Sequence, residues 1–581
     1  MGAPAVVSTL LVDELARAGV RHACIAPGSR SSPIATALGT HPSLRVWTHI
    51  DERAAGFFAL GLARATRTPV VVACTSGTAA ANLLPAVIEA FQGYVPLVVL
   101  TADRPPELRD CGAAQTIDQY RLFGSHVRWF LELPVPEATS QLSRTARTVA
   151  CRAVATACGP PAGPVHLNLP LREPGAQEQS CEEVAGRSPH PGAAWVRIHG
   201  VPPAADPAAV SEVAATLARS RRPLIVAGPL DDADPSLPDA VTTLALRIGA
   251  PLLAEPASNL RHHMIDSVLV DAHDALLRVA AFRDAHGPDV VLRLGSLPTS
   301  KALVTWLADH PAAAHVVLDG AGAWSDPDGV ATAVVRGAPA HTARLLVDAL
   351  PDVEPDLHWL WRWRHAGAVA RHALRETLGE ECAPFEGHVV AALAEVLPPT
   401  ATLYAGNSLA IRELDWFWTA GASGIRVLCN RGANGIDGFV SSVLGAAAGA
   451  ASPTVGLCGD LSFLHDAGGL LAAHRHGLHA IFVVLDNDGG GIFDHLAVAE
   501  SAPRYEELFV TPHGLDLAPI AEAYGARAVR VSEPAGLHDA MVEALSAAHT
   551  TVVHVRIDRA HSLAAHRRAW RRAATALRDA A

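Results

Sequence analysis

Two polar turns in the last third of the 581-residue chain carry side chains of the types that bind divalent cations in proteins. Gly459-Asp460-Leu461-Ser462 follows one apolar run, and Asn487-Asp488-Gly489 follows the next apolar run along the chain. Both runs are typical of buried parallel strands, and a connection of about 30 residues fits one right-handed crossover between neighbours. A carboxylate, an amide oxygen and a carbonyl in a glycine-rich turn are hard oxygen ligands, so we expect Mg²⁺ that also binds phosphate oxygens.

The spacing of these turns resembles the thiamine-diphosphate motif, which begins Gly-Asp-Gly and ends in Asn. Here Gly459 and Asp460 open the segment, and Asn487 closes it 27 positions after the aspartate. Leu461 stands where the motif has its second glycine. This difference leaves the predicted metal ligands intact, because the side chain of Leu461 is not required to coordinate the ion.

Thiamine chemistry also needs a carboxylate against the aminopyrimidine ring of the cofactor. Glu52 fits this role, since it lies between the strand-like segment 46–48 and the helix-like segment AAGFFALGLARA. Asp51 and Arg53 beside it also fit simple helix capping. Burial would keep the pKa of such a carboxylate high enough to share a proton with the ring.

The elements that must position these residues follow from an alternation of apolar runs and helical patterns. Runs such as VVVACTSG, LVVLTADR and IFVVLDN end in Gly, Ser, Asp or Asn. This alternation predicts parallel sheets covered on both faces, with ligands beyond the carboxyl ends of the strands. Polar, proline-rich stretches at about 171–207 and 351–380 divide the chain. We predict three doubly wound α/β domains over residues 1–180, 200–350 and 380–581.

Composition excludes several classes of protein. The chain has 46 Lys and Arg against 58 Asp and Glu, a net charge of −12, and is 50% hydrophobic. The apolar content excludes intrinsic disorder, and the acidic balance argues against nucleic-acid or anionic-membrane partners. Two uncharged runs, 68–88 and 438–458, are alanine-rich and broken by polar residues, which favours a strand, a turn and a buried helix over a membrane span.

The cysteines and the N-terminus predict a location. Nine cysteines without a CxxC pair are typical of buried apolar residues in a reducing compartment. The segment MGAPAVVSTLLVDEL lacks the basic start of a targeting sequence. We therefore expect a cytoplasmic protein.

Over essentially its whole length the chain resembles the 2-succinyl-5-enolpyruvyl-6-hydroxy-3-cyclohexene-1-carboxylate synthases. This is the MenD family of thiamine-diphosphate transferases in menaquinone biosynthesis. The resemblance is densest in residues 1–130 and 400–500. Besides the two metal turns, it is carried in family order by PGSRSSP (27–33), DER (51–53), TSGTA (75–79), ADRPPEL (102–108), GNS (406–408) and NRGANGIDG (430–438).

The resemblance implies a reaction and its requirements. The expected reaction is decarboxylation of 2-oxoglutarate followed by conjugate addition of the succinyl carbanion to isochorismate. The expected cofactors are thiamine diphosphate and Mg²⁺, with Mn²⁺ as an alternative metal. The expected assembly is a homodimer or homotetramer with active sites at the subunit interface, and the fold is that of thiamine-diphosphate enzymes.

The resemblance also assigns site residues. Glu52 would activate the cofactor, and Ile436 would hold it in its bent form. The metal ligands would be Asp460, Asn487 and the Gly489 carbonyl. Further cofactor contacts would come from Pro27, Asn407, Ser408, Leu461 and Ser462. The substrates would meet a basic and polar set and an apolar wall: Arg30, Arg104, Gln115, Lys301, Ser408, Arg412, Arg431, Ile492, Phe493 and Leu496. Of these, Arg30, Gln115, Ser408, Arg412 and Arg431 would act with Glu52 in catalysis.

Two departures and two alternatives stand beside this reading. Ala114 and Ala302 occupy positions where the family usually has Asn and Arg, and both bear on the isochorismate contacts. One alternative is a relative of acetolactate synthase or a 2-oxoacid decarboxylase, whose monocarboxylate substrates do not require five or six basic side chains. The other is a non-catalytic thiamine-fold protein that binds a regulator. The central domain carries no motif of its own, and whether it binds a regulator stays open.

Overall fold

The computed structural model describes residues 2–137, 139–173, 193–199, 204–262, 267–352, 354–421 and 424–580. These residues form three all-parallel sheets of six, five and six strands, one after another along the chain. The predicted fold class, three parallel-sheet α/β units, is therefore confirmed. The predicted boundary at 180–200 lies largely outside the described residues, and the domain limits stay a prediction.

The first sheet has the strand order β2-β1-β3-β4-β6-β5. Its strands are β1 (His22–Ile25), β2 (Arg45–Thr48), β3 (Val70–Cys74), β4 (Leu97–Asp103), β5 (Trp129–Glu132) and β6 (Val165–Pro170). Its helices are α1 (Ala3–Arg17), α2 (Ser32–Thr40), α3 (Glu52–Thr66), α4 (Thr78–Asn82), α5 (Leu84–Gln92) and α6 (Ser140–Cys158). Strands β3, β4 and β6 are buried along their whole length, as expected for strands covered on both faces.

The second sheet has the order β11-β10-β9-β7-β8. Its strands are β7 (Pro223–Ala227), β8 (Leu252–Ala254), β9 (Val290–Leu294), β10 (Ala314–Asp319) and β11 (Ala333–Arg336). Its helices are α7 (Pro207–Arg219), α8 (Leu237–Ile248), α9 (His273–Leu277), α10 (Ala280–Ala285), α11 (Lys301–Ala308) and α12 (Pro339–Ala349).

The stretch after the second sheet differs from the sequence-based expectation. Residues 357–380 form one long helix, α13 (Leu357–Glu380), where a polar, proline-rich divider was predicted. Asp356 caps this helix, and its buried Trp359 and Trp363 join the apolar core. The prolines at 351 and 355 therefore precede a packed helix, and the divider itself is short.

The third sheet has the order β13-β12-β14-β15-β17-β16. Its strands are β12 (Thr402–Ala405), β13 (Arg426–Cys429), β14 (Thr454–Gly459), β15 (Ile481–Asp486), β16 (Arg527–Val531) and β17 (Thr551–Arg556). The helices that precede β14 are α14 (Glu386–Val396), α15 (Leu409–Phe417) and α16 (Phe439–Gly449). The later helices are α17 (Asp460–His465), α18 (Leu471–His476), α19 (Val498–Ser501), α20 (Leu517–Ala523), α21 (Ala535–Ser546) and α22 (Arg559–Asp579).

The first and last units pack together through a crossing of α3 and α16. A Cβ added to Gly61 would lie 1.9 Å from the Ser442 carbonyl oxygen, and one added to Gly445 would lie 2.0 Å from the Phe58 carbonyl oxygen. Both positions therefore require glycine, since backbone lies directly against backbone.

One carboxylate joins all three units. Asp231, in the loop after β7, accepts hydrogen bonds from Arg67 at 2.7 Å and from Arg426 at 2.6 Å. Burial alone would raise the pKa of Asp231, but the two guanidinium groups hold it below its ordinary value. Because Arg67 follows α3 and Arg426 opens β13, this ion-pair cluster ties the central unit to both neighbours.

Two further expectations concern surface and core. The run 68–88 contains β3, α4 and part of α5, and the run 438–458 contains α16 and part of β14, as predicted. Within the described ranges, no helix combines the length and the apolar character needed to cross a membrane.

The expectation of buried cysteines holds for five residues, whereas Cys111, Cys158 and Cys382 are exposed and Cys181 lies outside the described residues.

Candidate active site

The two predicted metal turns lie side by side at the carboxyl edge of the third sheet. Strands β14 and β15 are parallel neighbours, with Gly459 paired to Leu485. Asp460 follows β14 and is buried, and its Oδ2 accepts a hydrogen bond of 2.7 Å from the Gly489 amide. The crossover thus brings Asp460 against the turn that Asn487 opens, as the spacing predicted.

These residues fit a divalent cation. The Asn487 Oδ1 atom is buried without a hydrogen-bond partner in the described chain. Burial, with a contribution from Asp486, raises the pKa of Asp460 to about 6, so a bound cation would favour its ionised form. Gly489 has a φ of +133°, and a Cβ there would lie 2.2 Å from the Val510 carbonyl oxygen, so only glycine allows this turn.

A histidine that sequence reasoning missed lies beside these ligands. His513 Nε2 is 3.2 Å from Asp460 Oδ2 and 3.6 Å from Asp486 Oδ1. Its backbone amide donates to Asp488 Oδ1 at 3.0 Å, which fixes the loop after the π-helical turn Glu506–Val510. No signal in the sequence joins His513 to the turn, because the contact spans 53 residues.

The loop 430–438 forms a second wall of the site. Asn407 donates to the carbonyl oxygens of Asn430 at 2.7 Å and Gly435 at 2.6 Å, and its Oδ1 accepts from Arg431 at 3.2 Å. Ile436 lies half-buried in this loop. The structure therefore brings together Asn407, Arg431 and the loop of Ile436, three predicted features from two motifs.

Two guanidinium groups lie near each other beside this loop. Ser408, with a φ of +64°, precedes α15, and its carbonyl oxygen accepts a hydrogen bond from Arg412. Burial and the charge of Arg431 both lower the pKa of Arg412. Asp274 offsets part of this effect on Arg412, and Arg431 interacts with the buried carboxylate of Glu255. Paired guanidinium groups are nevertheless suited to binding an anionic ligand.

A similar pair lies at the carboxyl edge of the first sheet. Arg30 and Arg104 are both buried, and burial together with the Arg30 charge lowers the pKa of Arg104. Arg104 donates to Ser76 Oγ at 3.1 Å, and Gln115 donates to the Ser76 carbonyl oxygen at 3.1 Å. Arg30 is partly engaged, since it donates to the Leu171 carbonyl oxygen at 2.9 Å and forms an ion pair with the exposed Glu173 at 3.3 Å. Ser76 was not predicted as a site residue, although it lies inside the quoted TSGTA segment.

Glu52 occupies the predicted strand-to-helix junction. Asp51 caps α3 by accepting hydrogen bonds from the amides of Arg53 at 2.8 Å and Ala54 at 3.3 Å. Capping is therefore the task of Asp51, and the Glu52 side chain is left half-buried near the Cys74 thiol. In the described residues no hydrogen bond or ion pair joins Glu52, Arg30, Arg104 or Gln115 to the predicted ligands of the third sheet.

The other predicted residues vary in exposure. Pro27 and Lys301 are exposed, Leu461 is half-buried and Ser462 is buried. Ile492 and Phe493 lie half-buried in the 3-10 turn Gly491–His495, and Leu496 after it is 43% exposed. Among the described residues, no hydrogen bond or ion pair joins Lys301 to Arg412 or Arg431.

A buried charge cluster that sequence reasoning also missed lies behind this turn. His566 on α22 contacts Glu413 Oε1 at 2.9 Å, and the ring of His495 lies 5.2 Å from the His566 ring. Glu386 completes the cluster, and Glu386, Glu413 and His566 are fully buried. Glu413 adjoins Arg412, so this cluster supports the helix that carries a predicted substrate ligand.

Comparisons with known proteins identify the cofactor-binding domains and the fold. Residues 6–122 match the N-terminal TPP binding domain of thiamine pyrophosphate enzymes, and residues 425–555 match their C-terminal TPP binding domain. The crystal structure of benzoylformate decarboxylase from Polynucleobacter necessarius has the same fold, with a TM-score of 0.69 and 19% identity. That comparison covers 96% of this chain and 99% of the decarboxylase.

Sequence relatives are closer. The 2-succinyl-5-enolpyruvyl-6-hydroxy-3-cyclohexene-1-carboxylate synthase of Geobacillus kaustophilus is 46% identical, covering 97% of each chain. The synthase of the same name from Chloroflexus aurantiacus is 44% identical, covering 98% of this chain and 96% of its own. The chain belongs to the 2-succinyl-5-enolpyruvyl-6-hydroxy-3-cyclohexene-1-carboxylate synthase family of thiamine pyrophosphate enzymes.

Proposed function

We propose that the protein decarboxylates 2-oxoglutarate and adds the resulting succinyl unit to isochorismate. The product is 2-succinyl-5-enolpyruvyl-6-hydroxy-3-cyclohexene-1-carboxylate, an intermediate of menaquinone biosynthesis. The observation that carries this proposal is the presence of two guanidinium pairs, Arg30 with Arg104 and Arg412 with Arg431, in a protein of net charge −12. Two dicarboxylates would require such local positive charge, whereas a monocarboxylate would not.

Thiamine diphosphate, when bound, supplies an electron-accepting ring for loss of CO₂ and carbon–carbon bond formation. Asp460, Asn487 and the Gly489 carbonyl would hold Mg²⁺, or Mn²⁺ in its place, against the diphosphate. Glu52 would hold a proton at the aminopyrimidine, and Ile436 would support the bent cofactor. Remaining cofactor contacts would come from Pro27, Asn407, Ser408, Leu461 and Ser462.

The substrates would be held by charge and enclosed by apolar side chains. The four arginines would bind carboxylates through paired hydrogen bonds, and Gln115, Lys301 and Ser408 would add polar contacts. Ile492, Phe493 and Leu496 would exclude water from the reacting carbon.

We further propose that the active protein is a homodimer or homotetramer. The Glu52 group and the Asp460 group lie at the carboxyl edges of different sheets, without a hydrogen bond between them in the described residues. A second copy would supply Glu52 opposite the metal turn, which would complete the site at the interface. The cytoplasmic location inferred from the cysteine pattern stays a prediction.

The test is reconstitution of the purified protein with thiamine diphosphate and Mg²⁺. We expect CO₂ release and loss of isochorismate absorbance when 2-oxoglutarate and isochorismate are supplied together. Each substrate alone, and pyruvate in place of 2-oxoglutarate, serve as controls. Turnover of pyruvate but not of 2-oxoglutarate would contradict the proposal.

A further inference from the structure

A glutamate of the first unit contacts the loop 430–438 of the last unit. Glu89 lies on α5 and is 3% exposed. Its Oε1 accepts a hydrogen bond of 2.8 Å from the Gly432 amide, and its Oε2 accepts one of 2.6 Å from the Ala433 amide. Arg64 on α3 donates to the same Oε1 atom at 3.2 Å. Three donors thus converge on one buried carboxylate, and removing it would leave buried backbone amides without an acceptor.

The loop backbone lies directly on the C-terminal end of α5. A Cβ added to Gly432 would lie 2.7 Å from the Glu89 carbonyl oxygen and 2.7 Å from the Gly93 amide nitrogen. Distances this short leave no room for a side chain at position 432. The loop backbone is therefore already packed against the helix and cannot move closer to it. Glu89 and Gly432 therefore fix the distance between the two units at this point.

Asn407 holds the same loop from its other side. It binds the carbonyl oxygens of Asn430 and Gly435, whereas Glu89 binds the amides of Gly432 and Ala433. The backbone of the loop is consequently fixed on two sides, and Arg431 lies between the fixed positions. Ile436 follows one residue after the second Asn407 contact.

We propose that Glu89 is a positioning residue, which holds the loop 430–438 in the conformation that presents Ile436 to thiamine diphosphate and Arg431 to a dicarboxylate substrate. The role of Glu89 in positioning Arg431 for a substrate rests on the proposed function. Its role in positioning Ile436 for the cofactor rests only on the family and on the contacts of Glu89. The residue acts through backbone amides and does not itself touch a ligand.

The variants Glu89→Gln, Glu89→Ala and Gly432→Ala test this role in the full-length protein. Glutamine keeps the size of the side chain but places an NH₂ group against a backbone N–H. Gly432→Ala forces the loop away from α5 while Glu89 stays intact. Glu212→Gln is the control, because it removes the same charge from an exposed position on α7.

Two measurements need neither substrate. Thiamine diphosphate affinity is measured with Mg²⁺ by quenching of tryptophan fluorescence, and amide exchange is followed in peptides that cover 430–438. We expect the dissociation constant to rise about tenfold in Glu89→Ala and Gly432→Ala, and about threefold or more in Glu89→Gln. Exchange in the loop should accelerate in the same order, with the control unchanged.

The result that overturns the proposal is an unchanged cofactor affinity in both Glu89→Gln and Gly432→Ala. Faster exchange in α16 with an unaffected loop would also overturn it, since that pattern describes a purely structural contact. If Glu89→Ala does not fold, the other two variants decide. If the protein forms the product, the KM for 2-oxoglutarate in the Glu89 variants should rise more than kcat falls. If it forms no product, cofactor affinity and amide exchange still test the role of Glu89.

Discussion

Replacing His566 with leucine would remove the only cation from the buried cluster formed by Glu386, Glu413 and His566. The cluster lies between α14, α15 and α22, and its three members are 0% exposed. The change would leave two buried carboxylates without their positive partner, although Glu386 would keep its hydrogen bond from Ser562. Unpaired buried charge is among the most destabilising features of a folded protein.

The size of the effect follows from the contacts. Burial alone would lower the pKa of His566, but contact with Glu413 and the charge of Glu386 raise it to about 9 from an ordinary 6.5. That difference corresponds to about 3 kcal/mol of stability. Removing one partner of a buried ion pair typically costs about 3–5 kcal/mol. Burial also raises the pKa of Glu413 to about 7, so at pH 6 this carboxylate would take up a proton once His566 is gone, which limits the cost. We therefore expect His566→Leu to lose about 2–3 kcal/mol of unfolding free energy at pH 6.

Urea unfolding followed by circular dichroism, at one protein concentration, measures this loss. His372→Leu is the matched control, because His372 is 76% exposed and its contact with Glu376, 3.4 Å away, lies at the surface. The double variant Glu413→Leu/His566→Leu removes both charges and should recover much of the stability. A loss below about 1 kcal/mol in His566→Leu, or a double variant weaker than the single one, would refute the reasoning.

The same histidine gives a pH dependence with a defined sign. Because its pKa is raised on folding, its contribution is fully present below about pH 6.5 and is lost as the pH rises through about 9. Stability of the unmodified protein should therefore fall across this range, and the profile of His566→Leu should be flatter. Parallel profiles for the two proteins would contradict the assignment of the charge to His566.

Other perturbations test the remaining features. Glu52→Gln should abolish product formation while thiamine diphosphate binding, measured by fluorescence, persists; an active variant would contradict its role. Asn487→Ala should weaken Mg²⁺ binding about tenfold or more in a titration with thiamine diphosphate present, whereas an unchanged affinity would exclude Asn487 as a ligand. Asp231→Asn should lower stability by about 1–3 kcal/mol at pH 7 in urea, with a difference that shrinks as the pH falls below 4, since the pKa of Asp231 is lowered on folding.

The parts of the fold that the sequence predicted are mostly the interior strands. Runs such as VVVACTSG and IFVVLDN became β3 and β15, which are apolar because helices cover both faces. The strands without such a signal lie mainly at sheet edges, among them β5, β8, β11 and β16. β16 shows why: its residues Arg527 and Arg530 are exposed, so its apolar content is low. β6 is an interior strand whose signal is interrupted by the buried polar residues His166 and Asn168.

The helices show a comparable limit. The segment 461–477 has one continuous helical pattern but is divided into α17, a 3-10 turn at Ala467–Leu470, and α18. The buried carboxylate of Asp466 accepts a hydrogen bond of 2.7 Å from the Ser441 amide, and Gly468 and Gly469 follow it. A tertiary contact thus competes with local helix propensity at this point.

The candidate site divides along similar lines. The placement of Asp460 and Asn487 at one sheet edge was predictable because each directly follows an apolar strand whose end the sequence marks, whereas Asn407 was assigned only through the family resemblance. His513, Glu89 and His566 were not, because their partners are distant in sequence and their surroundings are ordinary helices or loops. The spacing of a motif reflects a short crossover between neighbouring strands, whereas contacts between residues far apart in the chain have no fixed spacing in the sequence.

The crossing of α3 and α16 through Gly61 and Gly445 also bears on how such chains can be recombined. A chimera that takes its first third from one homologue and its last third from another would join helices shaped by different partners. One added methyl group at either glycine would clash with the backbone of the opposite helix and separate the first unit from the last. Gene-shuffling breakpoints should therefore keep α3 and α16 from the same parent, and neither half is suited to production as a separate fragment.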